Sequence, residues 1–302
     1  MGPYRAQPDL GGVRRLCLVN GRVEIVEYTD PACPWAFSAE PARLRLRWLF
    51  GDQLQWVERM VGLTSSPDDL AKRFTPEQLA GAVAAIAADH HMPISDQPLE
   101  RLFASLPACR AVVATRRHGA DSARRLLREL RIACFSGELI DDPATIAACA
   151  ERAGVDPADL AAWTDEEGTE AELGDDMAAA RDPLPSALAL KRKLAEWEPG
   201  RWRYTCPSYV LSADGETVAV PGFQPFDSYE VALANLAPGL ERAADAEGAR
   251  EALEWAQAEG IGQLATVEVA ALTGASLEDA RSDLAKVATE HPNGSESFWV
   301  LD

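Results

Sequence analysis

The sequence lacks any apolar run approaching twenty residues, so no helix long enough to cross a membrane is expected. The first twenty residues hold Arg5, Arg14 and Arg15 but no continuous apolar stretch ending in a small-residue cleavage site, which argues against an export signal. Gly-x-Gly-x-x-Gly, phosphate-loop, Gly-x-Ser-x-Gly and zinc-ribbon patterns are also missing. Histidine is scarce: there are four in 302 residues. Only His90 and His91 are adjacent, with no cysteine or acid at a ligand spacing, so they read as a surface pair and no metal site is expected. Positive charge is in deficit, with 29 Lys and Arg against 48 Asp and Glu, and the net charge of −19 repels nucleic acid and anionic lipid alike. The plainest meaning of that acidity is solubility.

Six cysteines are present: Cys17, Cys33, Cys109, Cys134, Cys149 and Cys206. Without an export signal the expected setting is the cytoplasm, where thiols persist and stable bridges are uncommon, so their number implies no disulfide framework. Hydrophobic residues at 47% and charged residues at 25% are ordinary for a globular chain. At 302 residues the length exceeds one average domain.

Val23–Tyr28 is β-branched and apolar, and it stops at Thr29-Asp30-Pro31, the pattern of a strand entering a tight loop. Pro34 suits the first turn of a helix, and Phe37, Leu44, Trp48 and Leu49 recur at helical spacing over 35–50. A second strand is expected over 54–61, which completes a β–α–β opening. Residues 65–197 turn alanine-rich and helical, interrupted by pairs such as Thr75-Pro76 and Asp142-Pro143. Strand character returns at Ser208–Leu211 and Thr217–Val220 around Asp214-Gly215, a hairpin signal, followed by a helix over 228–236. In 241–302 the expectation is helices over 246–258, 266–272 and 277–288, then an apolar end at Phe298–Leu301. That order resembles a winged-helix module. Its third helix carries Glu278, Asp279 and Asp283 against Arg281 and Lys286, which favours a structural or protein-contact role over reading DNA.

Cys33 is the strongest chemical signal, because it sits after a strand and at the mouth of a helix. Unpaired backbone N–H groups and the positive end of the helix dipole favour a thiolate there, which lowers the pKa and makes the sulfur a nucleophile. Asp30 and Glu40 flank it, as modulators of that pKa or simply as helix-start residues. Trp35, Phe37, Tyr209 and Phe223 are candidates to line an apolar groove, and equally candidates for the core. Cys109, Cys134 and Cys149 lie in apolar helical stretches and read as packing. Cys17 has no evident partner.

Asp30-Pro31-Ala32-Cys33-Pro34-Trp35 with Glu40-Pro41, Pro107-Ala108-Cys109-Arg110, Phe135-Ser136-Gly137 and Thr205-Cys206-Pro207-Ser208 together resemble DsbA-like proteins of the FrnE type, including the SpxH (YjbH) adaptor branch. The likeness runs from about Val23 to Leu236. It implies an α/β, thioredoxin-like fold built from residues 1–64 and 198–240, a large helical insertion over 65–197, and a C-terminal helical, winged-helix-like unit over 241–302 outside the likeness. It further implies that Pro207 follows a cis peptide beside Cys33, and that Pro34, Trp35, Thr205 and Pro207 bind substrate as an extended strand. The departure is Ala36, which stands where the usual Cys-x-x-Cys motif has its second cysteine.

A lone thiolate can form a mixed disulfide but cannot release it by the usual internal attack. The expected function is therefore thiol–disulfide oxidoreduction of monothiol type, with Cys33 as nucleophile and with Cys206 or a low-molecular-weight thiol co-substrate as resolver. Partners would be protein or small-molecule thiols and disulfides, with no resident cofactor and no nucleic acid or membrane. The alternatives are a non-enzymatic adaptor with a degenerate site, and a glutathione-type thiol-dependent isomerase or transferase.

Overall fold

The computed structural model describes residues 22–302. Residues 1–21, with Cys17, lie outside them.

β1 (Val23–Thr29) is the inner strand of a four-stranded sheet ordered β2-β1-β5-β6. β2 (Leu54–Met60) runs parallel to it, pairing Val23 with Leu54 through Thr29 with Met60. β5 (Ser208–Ala213) and β6 (Glu216–Val220) add antiparallel on the other side. The β5–β6 turn is Asp214-Gly215, both at positive φ (51° and 83°), which the Asp-Gly pair tolerates well.

Between β1 and β2 lie α1 (Pro34–Ser38) and α2 (Glu40–Phe50), where sequence spacing suggests one helix over 35–50. The break falls at Ala39 because Pro41 has no N–H with which to continue the ladder to Phe37. The helical region comprises α3 (Pro67–Ala71), α4 (Pro76–His90), α5 (Leu106–His118), α6 (Ala120–Phe135), α7 (Pro143–Arg152), α8 (Pro157–Thr164), α9 (Glu167–Ala180) and α10 (Pro185–Leu188). Proline opens most of these helices, where a missing N–H costs nothing. Phe37 and Met60 share a core with Val112, Leu126, Leu127 and Leu130, which seats the helices on the sheet.

The sequence expectation of helix up to 197 fails at its end. β3 (Leu194–Glu198) and β4 (Arg201–Tyr204) form a two-stranded hairpin, their alternating side chains turned by Pro199-Gly200. α11 (Phe226–Leu236) then covers β5 and β6 with Tyr229 and Leu233.

The C-terminal residues form α12 (Ala249–Ala258), β7 (Leu264–Ala265), α13 (Thr266–Thr273), α14 (Leu277–Leu284), β8 (Ala288–Asn293) and β9 (Glu296–Leu301), with sheet order β7-β9-β8. The last helix therefore stops at Leu284 rather than 288, because residues 288–293 pair with the apolar end as a strand. Pro292 is tolerated there because β8 is an edge strand. α13 lies against α2, with Leu44 buried in the C-terminal core and Trp48 edge-on to Trp255 at 5.4 Å. The charges of α14 are spent internally: Arg281 pairs with Glu290 and Glu296, and Asp283 accepts from the Ala249 N–H.

No helix among the described residues is long and apolar enough to cross a membrane.

Candidate functional site

Cys33 is the residue immediately before α1, in extended conformation (φ −86°, ψ 113°), with Pro34 in the first turn. The loop from β1 is tight: the Cys33 N–H donates to the Asp30 carbonyl at 3.1 Å. The residue is 6% exposed, whereas Cys109 and Cys149 are fully enclosed. Its thiol donates to the Cys206 carbonyl at 3.2 Å, and the Cys206–Pro207 peptide bond is cis.

The Cys33 thiol is held below its ordinary pKa. The Cys206 side chain, hydrogen-bonded to the sulfur, is the largest influence. Burial works against it, the N–H groups of Ala36 and Trp35 assist, and the negative charge of Asp30 opposes. Cys206 moves the other way, well above the ordinary thiol range, first through burial and then through the same hydrogen bond to Cys33. The pair is thus polarised, with ionisation favoured at Cys33 and opposed at Cys206.

Asp30 is fully buried and forms no salt bridge among the described residues. Its carboxylate accepts from the N–H of Ala32 (2.9 Å) and Leu63 (2.8 Å), the hydroxyl of Ser105 (2.9 Å) and the thiol of Cys109 (3.4 Å). Burial raises its pKa and those four donors pull it back. The sequence reading of Cys109 as plain packing therefore misses a partner: this thiol caps the carboxylate under the loop between β1 and α1. Cys134 and Cys149 are buried in the helical core, and burial pushes Cys149 up to about 11.

Glu40 opens α2, as a helix-start residue should, and is buried as well. It is fully buried in a network with Arg43, Arg128 and Arg131, joined by Glu27, Glu58 and Glu268. Arg43 holds Glu27 at 3.0 Å and Glu58 at 2.8 Å, and Arg128 holds Glu268 on α13 at 2.7 Å.

Of the four aromatic candidates, two reach the site. Trp35 is 41% exposed and meets Phe223 at 5.6 Å. Phe37 stacks on Phe135 at 4.8 Å inside the core, and Tyr209 is buried among Trp56 and Tyr229, so neither lines a groove. Their places are partly taken by His90. The end of α4 brings that ring to 5.3 Å from Trp35 and 4.6 Å from Phe223, and burial lowers its pKa. Both histidines lie partly exposed at the surface, and His90 turns its ring toward Trp35 and Phe223. His91 instead meets Glu296 of β9 at 3.1 Å. No local signal in the sequence marks His90, because its neighbours at the site come from three separate segments.

Thr205 is half-buried and braces the strand entry. Its hydroxyl donates to the Lys193 carbonyl at 2.8 Å, and its carbonyl accepts from Ser208 at 2.7 Å. Among the described residues no group of three or more His, Cys, Asp or Glu is placed to hold a metal ion.

Residues 24–183 match the DSBA-like thioredoxin domain. The chain belongs to that family. The solved structures it resembles include a Nitrosomonas europaea protein assigned as a protein disulfide isomerase. That likeness has a TM-score of 0.53 and 13% identity, and covers 71% of this chain and 97% of that one. A Streptomyces coelicolor protein assigned as a DsbA oxidoreductase gives 0.51 and 18%, covering 74% and 95%. The cytosolic disulfide reductase DsbM from Pseudomonas aeruginosa gives 0.50 and 18%, covering 70% and 97%. Identities this low speak for a shared fold, in agreement with the DSBA-like sheet and helices described above. No curated protein sequence matches the chain.

Proposed function

We propose that this DSBA-like protein is a cytoplasmic thiol–disulfide oxidoreductase of monothiol type, of the FrnE/SpxH kind, with Cys33 as nucleophile. The observation that carries the reading is the Cys33 sulfur at the head of α1, 3.2 Å from the carbonyl of Cys206 and hydrogen-bonded by the Cys206 side chain. The thiolate attacks one sulfur of a substrate disulfide, a Cys33–substrate disulfide forms, and the other substrate sulfur departs and takes up a proton.

Ala36 cannot resolve that adduct, so Cys206 is the internal candidate. Once Cys33 is in a disulfide, the hydrogen bond and the charge that helped raise the Cys206 pKa are gone. Its thiolate then attacks the Cys33 sulfur, the reduced substrate leaves, and a Cys33–Cys206 disulfide remains. Two equivalents of an external thiol, themselves oxidised to a disulfide, return the pair to the reduced state. Direct attack by such a thiol on the first adduct is the shorter route, and burial, which still opposes ionisation of Cys206, favours it. Trp35, Thr205 and Pro207 would hold the substrate alongside.

The test is capture of mixed disulfides from an extract by the intact protein and by Cys33→Ser. Adducts confined to the intact protein are expected, and equal capture removes Cys33 from the chemistry. In Cys206→Ala, adducts that persist longer identify Cys206 as resolver; unchanged lifetimes assign that step to the external thiol. Ala36 favours a second reading, a binding protein with a degenerate site. A specific partner retained equally by Cys33→Ser would support it.

A further inference from the structure

In a chain of net charge −19, most cations are neutralised by neighbours, and Arg116, Arg117 and Arg281 each engage two carboxylates. The stretch 181–203 departs from this. Among the described residues, Arg181, Lys191, Arg192, Lys193 and Arg203 have no carboxylate within 4.0 Å. They are held instead by carbonyls and rings: Arg181 by the Met177 carbonyl and Trp197, Lys191 over Trp202, Lys193 by the Phe223 carbonyl, and Arg203 by the Tyr204 carbonyl. Arg192 is exposed with no partner among the described residues.

These cations border the thiol. Lys193 accepts the Thr205 hydroxyl through its carbonyl, one residue before Cys206, and its ammonium reaches Phe223, which meets Trp35. Leu194 and Trp202 pack in the cluster that contains Cys33 and Cys206. The charge of Arg203 is felt at Cys206 and at Arg181. Of the acids nearby, buried Asp30 acts on both thiols and Asp89 acts on His90 beside Phe223. Glu198 is paired with Arg201, Glu196 accepts from the Gly200 N–H, and exposed Asp182 faces Tyr28 and Tyr204.

Resting on the proposed thiol chemistry, we infer that the hairpin rim of β3 and β4 selects the substrate by charge: the disulfide that reaches Cys33 is carried by a polypeptide segment with acidic residues beside its cysteine. Five such cations outnumber the two carboxylates of a tripeptide-sized thiol, whereas an extended acidic segment laid along Thr205–Pro207 would lie beside Lys193 and Arg203, with Lys191 on Trp202 of the same hairpin. The repulsion of the acidic body does not cancel this attraction at physiological salt. Screening over about 8 Å leaves the rim as the field an approaching segment meets at short range.

The probes are three peptides of equal length whose single cysteine is blocked as a 2-pyridyl disulfide, flanked by Asp and Glu, by Ser and Gly, or by Lys. Cys33 attacks the peptide sulfur, the disulfide breaks, and pyridine-2-thione leaves with a proton and is read by absorbance. At low salt the acidic peptide should react about tenfold faster than the lysine peptide, the gap closing as salt is added. The exposed double substitution Lys191→Glu with Arg192→Glu should reverse the order. Equal rates for the three peptides, or an order unchanged by the charge reversal, overturns the inference. A response to that reversal confined to a small anionic disulfide, with peptides indifferent, overturns the polypeptide assignment.

Binding of fluorescein-labelled, cysteine-free versions of the peptides to Cys33→Ser, read by anisotropy, separates the two claims. Acidic preference there without any thione release in the intact protein sinks the redox reading alone. Thione release without preference in either assay sinks the charge selection alone.

Discussion

Two side chains act on the Cys33 sulfur in opposite senses, and each can be changed by one residue. Cys206→Ala removes the hydrogen bond that most favours the thiolate, so the pKa measured by pH-dependent alkylation of Cys33 should rise. Asp30→Asn removes a buried negative charge, so the same titration should move down and alkylation below neutral pH should quicken. If both substitutions move the titration in one direction, the electrostatic account of this sulfur is wrong. Cys33 was legible from sequence because strand, loop and helix start lie within one short segment. The cage around Asp30 was not, since Leu63, Ser105 and Cys109 converge on it only after α5 has packed on the sheet.

At the scale of elements, the turn joining β8 and β9 shows how the C-terminal residues are seated. Gly294 (φ 65°) abuts the backbone of Ile94, and a Cβ there would lie 1.9 Å from the Ile94 carbonyl oxygen. Beside it the Asn293 amide donates to the carbonyls of Pro93 (3.0 Å) and Phe135 (3.2 Å). Gly294→Ala therefore cannot be accommodated without moving the turn or residues 93–95. The expected outcome is a loss of about 2 kcal/mol or more in urea unfolding, together with faster amide exchange over 91–95. Exchange unchanged in that segment would show that the contact does not hold it. Elements with a strong local period, such as β1, β2 and the Asp214-Gly215 hairpin, were readable from the sequence. The strands β3, β4 and β8 were not, because each is short, charged and decided by its pairing partner rather than by an apolar pattern.

The whole molecule is tied together by the buried network of Glu27, Glu40, Glu58 and Glu268 with Arg43, Arg128 and Arg131. It spans β1, β2, α2, α6 and α13. Burial opposes the charge on Glu40, yet Arg131, Arg43 and Arg128 hold its carboxyl down at about 2. A depressed carboxylate contributes stability that is complete above its unfolded value near 4.5 and is lost as pH falls from there through about 2. Acid unfolding is expected in that window. Glu40→Gln should cost about 3 kcal/mol at neutral pH and flatten the acid limb of the stability profile. A variant with an unaltered acid limb would exclude Glu40 as its source.

The β8–β9 turn at Gly294 touches the chain just beyond α4, and the last residue of that helix, His90, carries the ring against which Trp35 rests. The C-terminal sheet is thus joined, through Ile94 and the end of α4, to the tryptophan that follows Cys33 by two residues. Residues remote from the chemistry in sequence, at the far end of the chain, are mechanically next to it.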